Sequence, residues 1–166
     1  MALLFLSGCA SIVSNATSSV ADNVTLAILN QNDPATVRDG APSFLLMIDG
    51  FIEGDPENTK LLLSGAKLYG SYTSAFLVED QVRAQRLSTK AFTYAHRALC
   101  LEVESVCRNL DKPLKEFVAS FESTDRSDIT VLFGFAAAWA GWIQANASDW
   151  NAIADVARLT ALLEHC

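Results

Sequence analysis

The chain has 166 residues, 51% of them hydrophobic and 19% charged, which excludes a disordered chain and suits one domain able to bury its own core. Its net charge of −7 sets it against phosphate backbones, so nucleic acid is not an expected partner. With two histidines, His96 and His165, a histidine-based metal cage is not expected, and neither a metal nor a cofactor is assigned.

The N-terminus reads Met1-Ala2-Leu3-Leu4-Phe5-Leu6-Ser7-Gly8-Cys9. Leu6-Ser7-Gly8-Cys9 looks like a bacterial lipobox, an apolar stretch running into two small residues and a cysteine that accepts diacylglycerol. Residues 1–8 are then a signal peptide and residues 9–166 the mature domain, lipid-attached at Cys9. The apolar stretch is short and no Lys or Arg precedes it; a start codon assigned too late accounts for both. Ala10, rather than an aspartate, follows the cysteine, which points to the outer membrane, with the domain in the periplasm. The plain alternative is a buried apolar segment with a free thiol.

Apolar residues at three- and four-residue spacing predict helices along the rest of the chain, and no run alternates as a half-buried strand does. A first helix covers 10–30, with Ile12, Val13, Ala16, Val20, Val24, Ala27 and Ile28 on one face. Asn30 to Ala41 reads as a loop, and Pro42 as the start of a second helix to Glu53. Gly54-Asp55-Pro56-Glu57 reads as a restart, with Asp55 as cap, opening a third helix over 56–77. A long fourth helix is expected over 79–109. Asp111 and Pro113 start a short helix to about Phe121. Asp128 caps a nearly all-apolar helix over 129–145, and Ser148 caps a last one ending near Glu164. The run Val131–Ile143 is 13 residues, short of the roughly 20 that a membrane span needs, so it reads as a central core helix. The fold class is all-α, about seven helices in antiparallel hairpins.

Cys100 and Cys107 are seven apart, a rise of about 10.5 Å on one helix, beyond the roughly 7 Å limit of a disulfide. Inert buried thiols are the default for them and for Cys166. His96 and Cys100 share a helix face, but two ligands do not make a metal site. No catalytic set emerges. Gly65-x4-Gly70-Ser71 lacks the lysine of a phosphate loop and sits in a helix. Asp49 and Glu53, four apart, read as solvated carboxylates rather than an acid–base pair, and the chain is not read as an enzyme.

Small residues recur at set positions, as in degenerate tetratricopeptide-like units. Gly65 pairs with Ala84, Ser88 and Ala91; Gly141 pairs with Ala154, Arg158 and Ala161. A plain helical bundle explains the same residues. Longer stretches add order: Phe44 to Gly50 before the Gly-Asp-Pro-Glu restart, Leu62 to Tyr72, Arg83 to Leu99, and Phe133-Gly134-Phe135-Ala136-Ala137-Ala138-Trp139-Ala140-Gly141-Trp142-Ile143. With the lipobox, this series resembles the T component associated with TRAP-type (tripartite ATP-independent) transporters, a family of periplasmic tetratricopeptide lipoproteins.

The resemblance implies a homotrimer with pores and, as partner, the periplasmic solute-binding subunit of such a transporter. It also implies a small organic acid or a hydrophobic ligand as cargo. Family members look longer, with further helix pairs beyond the position of Cys166, so a shortened repeat domain is expected. Tyr69, Tyr72, Phe76, Trp139 and Trp142 lie at helical spacing; core packing is their default role, and they are the candidates to line a ligand channel. Arg83, Arg86, Lys90 and Arg97 share one face, a solvated stripe or a contact for an acidic partner or an anionic substrate. The alternative function is an envelope-assembly adaptor that holds peptides or proteins in a groove.

Overall fold

A computed structural model describes residues 19–20 and 22–166. Cys9, the expected signal peptide (residues 1–8) and the first part of the helix expected over 10–30 lie outside the described residues. Among the described residues all regular structure is helical. In chain order it comprises α1 (residues 22–29), α2 (Pro34–Gly54), α3 (Thr59–Phe76), α4 (Gln81–Glu102) and α5 (Glu104–Cys107). There follow α6 (Leu114–Ala119) with a 3-10 turn (Ser120–Ser123), α7 (Ile129–Ala145), α8 (Trp150–Ala154) and α9 (Val156–His165). No helix among the described residues is long and apolar enough to cross a membrane.

Helix α3 is the centre, packed against α2, α4 and α7. Its buried positions therefore run around the helix, from Leu61 and Leu62 through Gly65, Leu68 and Tyr69 to Tyr72 and Thr73. The short link 77–80 folds α4 back onto α3, and Asp80 caps α4 by accepting the Arg83 N–H at 3.1 Å. Helix α7 lies against α4 and α3 and carries α9 on its far side. Its buried residues Leu132, Phe135, Ala136 and Trp139 confirm the reading of a core helix. Helix α1 reaches α3 through Asp22, whose carboxylate accepts the Ser64 hydroxyl.

Gly65 sits where three elements meet. A Cβ there would lie 2.8 Å from Ile52 Cδ1 and 3.0 Å from Tyr94 Cδ2. The absent side chain lets α2, α3 and α4 approach; its neighbours are Ile52 and Tyr94 rather than the Ala84, Ser88 and Ala91 of the first repeat-like unit. In the second unit Gly141 has no heavy atom within 4 Å of its would-be Cβ, and Ala154 is exposed, so those small residues make no close crossing. The two glycines give opposite expectations. Gly65→Ala costs about 1–3 kcal/mol of overpacking, against a helix-propensity gain of at most about 1 kcal/mol. Gly141→Ala gains about 0.5–1 kcal/mol, because only propensity changes. Urea unfolding followed by circular dichroism measures both; equal effects would refute this account of the crossing.

Several boundaries differ from the sequence expectation. The segment expected to be a loop up to Ala41 is the first part of α2, which starts at Pro34. Asp33 caps it, accepting the Ala35 N–H at 3.1 Å and the Thr36 hydroxyl at 2.6 Å. Pro42 lies inside α2, where it removes the bond to the Arg38 carbonyl. The Tyr72 hydroxyl, from α3, donates to that carbonyl at 3.4 Å. Asp55 closes α2 rather than opening α3. Asn58 is the α3 cap, accepting the Leu61 N–H at 3.2 Å. The last helix is two, α8 and α9, parted at Asp155, and Asp149 rather than Ser148 caps α8. Asp128 sits at the start of α7 without a side-chain cap bond; its carboxylate accepts the Asp125 N–H instead.

The expected helix over 79–109 also breaks. Val103, buried, takes φ −126° and ψ 63°, ending α4, and the chain turns into α5. This turn shortens the Cys100–Cys107 Cα distance to 5.0 Å, and the two form a disulfide. The expectation of two unbridged thiols assumed an unbroken helix. Cys166 is free and exposed.

Candidate functional site

Small side chains on α3, α4 and α7 leave a cavity of about 220 Å³ between the three helices. Gly70, Ala84, Ala91, Ala138 and Gly141 contribute little volume to its walls, and Leu77 and Val78, just past the end of α3, also line it. Thr73, Ser74, Gln81, Ser88 and Gln144 supply its polar atoms, and no lining residue is charged. The Gln81 side chain donates to the Ala145 carbonyl, tying the start of α4 to the end of α7 at the rim. The volume lies below the roughly 300–1,000 Å³ of sites for drug-sized ligands. It suits a small molecule that is apolar in body and hydrogen-bonds without carrying charge.

None of Tyr69, Tyr72, Phe76, Trp139 and Trp142 is among the residues lining this cavity. Tyr69, Tyr72 and Trp139 are buried core residues; Phe76 and Trp142 are half-buried and pack against the core. The Trp139 indole N–H donates to Asp155 at 3.3 Å, at the α8–α9 break. Trp142 and Trp139 pack around Phe92, with ring centroids 5.6 and 6.4 Å away. Bulky residues at helical spacing found the core, while the cavity lies where facing helices are both small. That coincidence of Ala84, Ser88 and Ala91 with Ala138 and Gly141 was the available signal, but pairing α4 with α7 is a tertiary fact.

The basic face divides in two. The Arg83 guanidinium lies over the Tyr72 ring at 5.6 Å. Lys90 is ion-paired with Asp49 and lies 5.2 and 5.7 Å from the ring centroids of Tyr69 and Tyr94. Arg86 and Arg97 are exposed and make no ion pair among the described residues.

Asp49 is not a solvated carboxylate. It accepts the Tyr69 hydroxyl at 2.8 Å and the Tyr94 hydroxyl at 2.6 Å, and takes Lys90 as well. One side chain of α2 thereby pins α3 and α4. Burial first, and then the hydrogen bonds to Asp49, push both tyrosine hydroxyls well above their usual range.

A second cluster stands at the other end of α4. His96 and Cys100 share its last turns, as expected, with Cys100 Sγ 3.7 Å from His96 Nε2 and 3.9 Å from Nδ1. The turn at Val103 adds Cys107, and the ligating atoms of all three lie within 4.8 Å of one another. The β-branched Val103 and Val106 and the intervening Ser105 were a weak sign of a helix break there. His96 stacks on Phe92, with centroids 5.9 Å apart and planes at 25°, and meets Phe135 at 6.2 Å.

No curated protein matches the chain, and neither does any solved structure. A protein family does: the family described as TRAP transporter T-component matches residues 30–166. The match takes in every element from α2 to α9, including the central hairpin, the cavity walls and the Asp49 pin. The chain belongs to the TRAP transporter T-component family.

Proposed function

We propose that the chain is the lipid-anchored, periplasmic component of a TRAP transporter that docks the solute-binding subunit and holds a small uncharged ligand between α3, α4 and α7. The family match over residues 30–166 carries the association with a TRAP transporter system. The cavity supports the ligand: its lining offers hydroxyls and amides on an apolar wall and no cation for a carboxylate. That favours a hydrophobic or amphipathic molecule over an organic acid. Arg86 and Arg97 supply the exposed positive charge for an acidic patch on the partner. The working unit is a homotrimer, anchored through lipid on Cys9 to the outer membrane, and its part is binding rather than catalysis.

Gly141→Leu tests the ligand. Gly141 lines the cavity and no heavy atom lies within 4 Å of a Cβ placed there, so a leucine side chain is expected to occupy the cavity. Native mass spectrometry of the chain mixed with its transporter's solute-binding subunit is expected to show a trimer, a complex with that subunit, and a retained small molecule. In Gly141→Leu the small molecule is lost while the trimer and stability remain. A small molecule retained by the filled variant would place the ligand elsewhere, and a monomer that ignores the subunit would overturn the docking reading.

A further inference from the structure

We propose that His96, Cys100 and Cys107 form a redox-gated cation site, which takes a zinc-class divalent ion when the Cys100–Cys107 disulfide is reduced. Three observations carry this. The donor set is one imidazole and two thiols, a combination suited to borderline and soft cations. The spacing fits as well: metal–sulfur bonds of about 2.3 Å and metal–nitrogen bonds of about 2.0 Å put tetrahedral ligand atoms about 3.5–3.8 Å apart. Cys100 Sγ is already 3.7 Å from His96 Nε2, and all three ligand atoms fall within 4.8 Å; the two sulfurs, bonded to each other in the disulfide, move apart to that spacing on reduction. The third observation is the frame. Val103 and Val106 are buried, and the Cys107 N–H donates to the Val103 carbonyl at 3.1 Å. These contacts hold α5 against the end of α4 independently of the sulfur–sulfur bond, so the two thiols stay together after it opens. Stacking on Phe92 sets the plane of the imidazole.

The three residues are half-buried, so solvent and a small cation reach them, and water completes a fourth position. The exchange balances. An external dithiol gives two electrons and two protons to the disulfide, becoming a disulfide itself and leaving Cys100 and Cys107 as thiols. The cation then displaces one proton from each thiol, and neutral His96 donates a nitrogen lone pair. In the oxidised protein the sulfurs are joined and the site is closed.

The test uses the full chain with Cys9→Ser and Cys166→Ser, so that no other thiol competes. The protein is reduced with dithiothreitol, desalted without oxygen and titrated with cobalt(II). The expected result is one equivalent bound, with a near-ultraviolet thiolate-to-cobalt band and visible bands of a tetrahedral site, both abolished by zinc. The oxidised protein of the same sequence, a folded control, gives no band. His96→Asn weakens binding roughly 100-fold, at or above the 10–100-fold of outer-shell partners, and Cys107→Ser removes the band. Reduced protein with an unchanged circular dichroism spectrum and no thiolate band would overturn the proposal. So would a band that His96→Asn leaves at full affinity.

Discussion

Phe135→Ala is expected to lower the unfolding free energy by about 3–5 kcal/mol, a large share of the roughly 5–15 kcal/mol that holds a domain of this kind. Phe135 is fully buried on α7. Its ring meets Trp139 at 5.2 Å, Phe92 at 5.5 Å and His96 at 6.2 Å, joining α7 to α4. These neighbours belong to different helices, so they do not collapse into the space a phenyl ring leaves. Two residues earlier Phe133 is 57% exposed, and Phe133→Ala should stay within about 0.5 kcal/mol. Urea unfolding, followed by circular dichroism and tryptophan fluorescence, separates the pair. Similar losses at both positions would mean that this face of α7 is not packed as described.

Asp49→Ala is expected to cost about 2–4 kcal/mol. Its removal strips the carboxylate partner from the hydroxyls of Tyr69 and Tyr94, both buried, and frees Lys90 beside their rings. Each buried hydroxyl left without an acceptor costs about 1–3 kcal/mol. Tyr69 keeps a longer contact, 3.4 Å to the Leu45 carbonyl, which limits its share. Asp49→Asn retains an acceptor oxygen and should recover part of the loss, which simple loss of a surface charge would not predict. The pair Asp49→Ala and Tyr94→Phe should be clearly non-additive, because each removes the same bond. The same tyrosines set an alkaline limit. Their hydroxyls ionise near pH 10 in the unfolded chain and above it in the fold. Above pH 10 the folded state binds more protons than the unfolded one, so the stability present below pH 10 falls as pH rises. A pH–stability profile flat through pH 11 would contradict this assignment.

Much of the helical architecture is legible in the chain itself. Helical periodicity is a local property, and it marks α3, most of α4 and α7 because their apolar faces repeat within one element. The apolar run around Phe135 reads as central because it is apolar nearly all round and too short to span a membrane. Gly65 is also legible: a glycine inside a helix loses propensity, and a close crossing compensates for it. The ordered series of such stretches, taken with the lipobox, indicated the family that the match over residues 30–166 shows.

What only the tertiary structure decided are the places where one helix completes another. Pro42 reads as a helix start because a proline in a helix interior forfeits a hydrogen bond; Tyr72, thirty residues away, takes up the Arg38 carbonyl. Asp49 reads as solvated until Tyr69, Tyr94 and Lys90 converge on it from α3 and α4. Cys100 and Cys107 read as too far apart until Val103 turns the chain into the core. The cavity belongs to no single helix, since it is the space left where the small faces of α3, α4 and α7 meet. Local sequence sets what each helix offers on its surface. Which offers meet depends on the packing of several helices at once, and no pattern within one of them encodes that.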